Sequence, residues 1–297
     1  MQNEKLGERG TKMTQSFAVE LRGQEEWSWL VAIDLFLGGL GGGLFLLFKI
    51  FSLPPFVGLV ALALVILGAL VLFAELGQPA RAWRAIARPL TSWISRGVIA
   101  VSLFIAAGAL SVAPSLSIFS FLPWNQATTA GTLLGAVAAI AAFFVALYPG
   151  FVLSASPSIP FWNSPLLPVL FLFSSLLGAA GIALLLSPLG IPGGALEPII
   201  ALAALLIAAN LGLVAVHLTT LSRSAEAARE SVRRLNRGTL GWTFKLGVVL
   251  VGMLLPLSII AWLPSSAILA GALILIGGLL FRYCILKAGV YVAFPLG

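Results

Sequence analysis

Apolar residues run along this chain in eight stretches of spanning length, roughly 27–48, 54–75, 93–113, 127–149, 164–186, 196–220, 240–263 and 265–286. About 20 consecutive apolar residues cross the hydrocarbon core as a helix. The stretches are too long and too evenly apolar for barrel strands, and backbone groups in lipid must be satisfied within the segment, so helices are expected. Prolines mark their ends, among them Pro54, Pro55, Pro89, Pro114, Pro123, Pro160, Pro165, Pro192 and Pro264. The pattern predicts an all-α membrane protein of eight transmembrane helices. A polar tail over 1–26 precedes a transmembrane domain over 27–287, and 288–297 forms a short C-terminal tail. No fixed-period repeat is visible. An even number of spans places both termini on one side, here termed face A.

Composition sharpens this reading. Hydrophobic residues make up 60% of the 297 and charged residues only 9%, against about 45–50% and about 25% in soluble domains. Mean hydropathy is +1.09. A soluble enzyme and a disordered chain are both excluded. The net charge of +7 lies between apolar runs, which points to lipid headgroups or an acidic partner protein rather than nucleic acid. One cysteine, Cys284, rules out an intrachain disulfide and an iron–sulfur cluster ligated by this chain alone. One histidine, His217, and one methionine outside the tail, Met253, argue against a buried haem. Residues 1–26 carry nine charges and no short apolar run with a cleavage site, which argues against a cleaved signal peptide.

The charges are unequally shared between the faces. Face A receives the tail, a loop with Arg81, Arg84, Arg88 and Arg96, a second loop with Arg223, Arg229, Arg233, Arg234 and Arg237, and the chain end with Arg282 and Lys287. Face B receives little beyond Lys49 and Glu197. The positive-inside rule makes face A cytoplasmic. A basic docking surface for a soluble partner produces the same bias on either side.

Asp34 is the only aspartate, two helical turns inside the first span. A carboxylate at that depth costs roughly 2.5–3.5 kcal/mol on insertion scales, so it is expected to face the protein interior and to act in proton exchange. Its blander reading is an interhelical hydrogen-bond partner. The run Gly38-Gly39-Leu40-Gly41-Gly42-Gly43 contains two GxxxG pairs, which serve close helix packing; a flat ring lying on the side-chain-free face of Gly38 and Gly42 is the alternative. Trp27 and Trp29 read as interfacial anchors. Tyr148-Pro149-Gly150 closes the fourth span, and Tyr148 stands either in the aromatic belt or against a ligand carbonyl. Glu75 ends the second span and is expected to pair with a nearby arginine. The segment 223–237 reads as a solvated extension of the sixth span with i,i+4 pairs. His217, one turn before it, reads as structural, and Lys245 and Arg282 as snorkelling towards face A.

Taken in order, these segments resemble the NrfD/PsrC family, the integral membrane subunits of polysulfide-reductase-type complexes. Trp27 to Gly43 resembles the family's first helix, and Ala74-Glu75-Leu-Gly-Gln-Pro-Ala-Arg81-Ala-Trp83 the loop after its second. Tyr148-Pro149-Gly150 and Phe161-Trp162-Asn163-Ser164-Pro165 resemble the junction of helices four and five, and Phe281-Arg282-Tyr283 the last helix. The resemblance implies a first bundle (27–149) that binds menaquinone or another membrane quinone, beside a second four-helix set (164–286). It places Tyr148 at a quinone-contacting tyrosine, Asp34 where the polysulfide reductase carries a quinone-contacting histidine, and Glu75 at an acidic position beside the site. It further implies electron exchange with a ferredoxin-like iron–sulfur subunit docked on face A through Arg81, Arg84, Arg88 and Arg96. A large catalytic subunit of the molybdopterin type and a prokaryotic cytoplasmic membrane complete the expectation. Two other classes fit the residues alone. One is a secondary transporter or proton-translocating subunit with Asp34 as coupling acid; the other is a passive assembly anchor.

Overall fold

The computed structural model describes residues 21–75 and 88–292. The side chain of Glu75 lies outside this description, as do Arg81 and Arg84. Among the described residues, eight helices are long and apolar enough to cross a membrane, as the hydrophobic pattern predicts. They are α1 (Trp29–Ile50), α2 (Pro55–Glu75), α3 (Trp93–Val112), α4 (Thr129–Ser154), α5 (Leu166–Leu185), α6 (Gly193–Leu221), α8 (Gly238–Trp262) and α9 (Ala267–Ala288). A shorter helix, α7 (Glu226–Asn236), does not span.

Capping fits the sequence. The Ser28, Ser92 and Thr128 side chains accept from backbone N–H groups in the first turns of α1, α3 and α4, satisfying donors that lipid cannot. Neighbour relations define two rings of four. In the first, α1 packs on α2, α2 on α3, α3 on α4 and α4 back on α1. In the second, α5 packs on α6, α6 on α8, α8 on α9 and α9 on α5. The rings share a seam in which α1 touches α5 and α9, and α4 touches α5. Helices α1 and α5 are accordingly the most deeply buried spans, whereas the others turn wide faces of leucine, isoleucine and phenylalanine outward.

The segments before α1 and after α9 meet on one face, as an even number of spans requires. Gly23 bridges Val290, Gln24 N–H donates to Gly289 O at 2.8 Å, and Val292 N–H donates to Ser158 O in the α4–α5 loop at 2.9 Å. The Tyr291 hydroxyl donates to Glu26 Oε2 at 3.4 Å; burial, and after it the Glu26 carboxylate, raise its pKa. The Trp162 indole, fully buried, donates to Ile285 O at 2.9 Å and locks this loop onto the last turn of α9.

Three local expectations need correction. Helix α4 does not close at Tyr148-Pro149-Gly150 but continues to Ser154 with Pro149 inside it. A proline removes one N–H, a loss membrane helices absorb through their neighbours, and Gly150 lets Pro168 of α5 come against the backbone there. The segment 223–237 is not a continuation of α6: the chain turns at Ser222–Ala225 and restarts as α7. Its stripe of Ala227, Ala228, Ser231, Val232 and Leu235 is buried, which a straight extension of α6 into water could not achieve. One predicted i,i+4 pair does form, Glu230 to Arg234 at 3.6 Å, together with an i,i+3 pair from Glu230 to Arg233 at 2.6 Å. The third correction concerns Arg282, which does not snorkel but turns inward.

Candidate functional site

The site builds from the face A end of the seam. Asp34 lies five residues inside α1, about 7.5 Å from its start, and is 6% exposed. Tyr148 lies six residues before the end of α4, about 9 Å deep from the same face. The structure brings the two together: Tyr148 is close enough for the Asp34 carboxylate to act on it electrostatically. The tyrosine ring rests against Gly97 of α3, where any larger residue would push it away. Helix α2 approaches at the same level through Gly68, whose missing side chain faces Asp34 O and the Gly38 backbone at 3.3 Å.

Gly38 and Gly42, one turn apart, behave differently. A side chain on Gly42 would meet Ala142 O at 2.6 Å and Ala146 N at 3.1 Å, so this glycine permits the α1–α4 crossing. That is the packing role expected of the run. Gly38, one turn below Asp34 on the same face, has open space in front of it. A carboxylate, a phenol from a second helix and a bare strip of backbone therefore share one corner of the first ring.

Arg282 occupies the seam behind this corner. Its guanidinium is 1% exposed and about 9 Å from the end of α9. It donates to the Ser174 hydroxyl, to Ser175 Oγ at 2.9 Å and to Phe171 O at 3.4 Å, and it lies over the Phe171 and Phe281 rings. Its Nε finds no partner among the described residues. Snorkelling fails because Ser174 and Ser175 offer acceptors inside and Gly39 leaves room for the guanidinium. The adjacent Ser-Ser on an apolar helix is the one signal of this in the sequence.

Other predicted residues fall elsewhere. Arg88 and Arg96 are exposed on face A. Arg96 clips its own loop, donating to Pro89 O at 2.8 Å and Leu90 O at 2.7 Å, with its guanidinium over Trp93. Glu75 ends α2 at the same face. Asn163 caps α4, donating from Nδ2 to Ser154 O at 2.8 Å. Trp29 stacks on Tyr283 with ring centroids 3.9 Å apart, and Trp27 packs on Trp162 at 5.4 Å. His217 is buried against Phe161, and neither ring nitrogen has a partner among the described residues. At face B, Lys49 bends inward to donate to Ser111 Oγ at 3.2 Å, a polar contact that its place at a helix end does not reveal. No group of three or more metal-ligating side chains occurs among the described residues.

Eight apolar helices with an ionisable corner at one face define a multi-pass integral membrane protein whose buried polar groups sit where two four-helix rings meet. Likeness to known proteins places it more narrowly. The profile of the family described as "Polysulphide reductase, NrfD" matches residues 19–294, and the protein belongs to that family. It is 28% identical to Protein NrfD of Escherichia coli (strain K12) over 89% of its own length and 94% of the relative. It is 30% identical to a polysulfide reductase chain from Wolinella succinogenes over the same shares. A shorter match, 33% identical over 41% of the protein and 38% of the relative, is to a sulfite dehydrogenase subunit from Allochromatium vinosum. The last two names describe parts of oxidoreductases, which fits a membrane anchor of such a complex.

Proposed function

We propose that this chain is the quinone-reactive membrane subunit of a multisubunit oxidoreductase. In this role it exchanges electrons between a membrane quinone, menaquinone or a relative, and a docked iron–sulfur subunit. The observation that carries the reading is the corner at face A: buried Asp34 lies within electrostatic reach of Tyr148 of another helix, one turn from the open backbone of Gly38. A quinone supplies two-electron, two-proton chemistry, and its two carbonyls call for polar partners. Asp34 holds or releases the proton at one carbonyl. Tyr148 donates a hydrogen bond to the other, its ring fixed by Gly97. The bare face of Gly38 accommodates a flat ring, and the surrounding helices exclude water. Glu75, at the face A end of α2, is assigned the relay of protons between the corner and bulk solvent by the family resemblance.

The chain has a single cysteine, so electrons reach the corner from outside it. The arginines of face A, Arg81, Arg84, Arg88 and Arg96, suit an acidic iron–sulfur protein of the ferredoxin type. That protein would link to a large catalytic subunit, of molybdopterin type as the family resemblance implies, in a prokaryotic cytoplasmic membrane. A transporter coupled through Asp34 fits less well: helices are commonly broken at such midplane sites, and α1 runs unbroken through the acid.

The test is quinol-linked turnover in membranes carrying Asp34→Asn or Tyr148→Phe. The expected result is a fall of about 10²-fold or more for Asp34→Asn and a smaller one for Tyr148→Phe, with the complex assembled as before. Wild-type turnover in both variants overturns the reading.

A further inference from the structure

A second polar feature of face A lies in the second ring, with one wall, Tyr283, stacked on Trp29 at the start of α1. Between α7, the start of α8 and the end of α9 is a half-open cavity of about 420 Å³, within the roughly 300–1,000 Å³ range of small-ligand sites. Its walls are Arg234, Arg237, Thr239, Leu240, Thr243, Tyr283 and Lys287. Three cations line it, with hydroxyls from two threonines and a tyrosine and no carboxylate.

Among the described residues, two of the cations are uncommitted. Arg234 is tied to Glu230 at 3.6 Å and packs across Gly23. Arg237 and Lys287 make no ion pair among the described residues. The Tyr283 ring is held by its stack on Trp29, which fixes one wall.

The cavity also sits at a definite level. Trp242, beside Thr243, is 66% exposed, as expected for a residue at the headgroup boundary. Further along the same helix, α8 leaves Leu246, Leu250 and Leu254 exposed to the hydrocarbon. A cationic, hydroxyl-lined cup at headgroup depth, opening above a leucine-faced helix, accepts an anion that carries an apolar tail.

We propose that this cavity binds the phosphate headgroup of an anionic phospholipid. The guanidinium of Arg237 and the Lys287 ammonium take the phosphodiester oxygens. Tyr283, Thr239 and Thr243 donate to the remaining oxygens, and an acyl chain lies along the exposed leucines of α8. A soluble acidic partner would meet cations but leave those leucines uncovered.

The purified full-length protein, with any subunits that accompany it, is exchanged into phosphatidylcholine nanodiscs containing a minority of phosphatidylglycerol. Retained lipid is then counted by native mass spectrometry. Wild type is expected to keep phosphatidylglycerol in preference to phosphatidylcholine. The Arg237→Gln/Lys287→Gln double variant should lose that preference roughly tenfold or more, two cations being removed. Arg233→Gln, outside the cavity walls, should keep it. Arg237→Gln alone, at an exposed position, carries the test if the double variant unfolds. Equal enrichment in the variant and wild type overturns the proposal. So does release of an acidic subunit with the lipid count unchanged. Displacement of the lipid's advantage by millimolar inorganic phosphate would show a free-anion site and overturn it as well.

Discussion

The two rings of helices share an architecture and handle their buried ionisable groups in opposite ways. In the first, Asp34 lies within electrostatic reach of a tyrosine from another helix, one turn from the open space in front of Gly38. In the second, Arg282 is closed in by Ser174, Ser175, a backbone carbonyl and two aromatic rings, with Gly39 sealing the fourth side. Both groups lie within about two helical turns of face A. Both would be flagged by the cost of placing charge in lipid. What separates them is room: a group that exchanges protons with a ligand needs space beside it, and a group that joins two rings needs to be surrounded. Burial of charge therefore nominates a residue, and the space around it decides the role.

The sharpest way to break this comparison is to strip Arg282 of its partners. The Ser174→Ala/Ser175→Ala double variant removes two charge-assisted bonds and leaves a buried guanidinium uncompensated, a loss of about 3 kcal/mol or more. Thermal unfolding in detergent should drop markedly. Adding Arg282→Met to the double variant should recover most of the loss, since no charge then remains to be solvated. If the triple variant is no more stable than the double, Arg282 is not clamped as described. Turnover in the Arg282→Met variant alone then sharpens the contrast: little change is expected if the arginine only joins the rings.

Glycines test the same distinction with a smaller effect. Gly42→Val would force Ala142 O and Ala146 away and separate α1 from α4, an overpacking cost of about 1–3 kcal/mol. A Cβ on Gly38 meets nothing within 4 Å, so with Gly38→Val the fold is expected to keep its unfolding midpoint. Its effect should appear in quinol-linked turnover, because the new side chain fills the space beside Asp34. Comparable destabilisation by both substitutions would show that Gly38 is a packing glycine like its neighbour.

How much of this is legible in the sequence follows the physics of each feature. All eight spans are visible there, because hydrocarbon imposes one requirement on length and polarity. Their ends shift where tertiary contacts override local signals: Pro149-Gly150 reads as a stop, yet α4 runs on because α5 passes against it. Asp34 and Tyr148 both stand out as candidates, but only the fold shows that they lie within electrostatic reach of one another on two helices. Arg282 reads as snorkelling because it lies near a helix end, and nothing local announces that Ser174 and Ser175 wait on another helix. The wider i→i+5 winding of Thr243–Leu254 in α8 has no sequence signal that we recognise. It coincides with a place where Gly252 lies against Gly277 of α9.

His217 gives the smallest effect and closes the comparison from the structural side. It is 2% exposed, one turn from the end of α6, with its ring edge-on to Phe161 and both nitrogens without partners among the described residues. An ionisable group engaged in transfer would have a donor or acceptor in reach; this one has an aromatic ring. Burying an imidazole without hydrogen bonds costs stability, so replacing it with an apolar side chain of similar size removes that cost. His217→Leu is expected to leave the unfolding midpoint unchanged or raise it, by about 1 kcal/mol at most, and to leave turnover as in wild type. A clear loss of turnover with the fold intact would mean that the second ring also holds a working proton group. The division between an open corner and a closed seam would then fail.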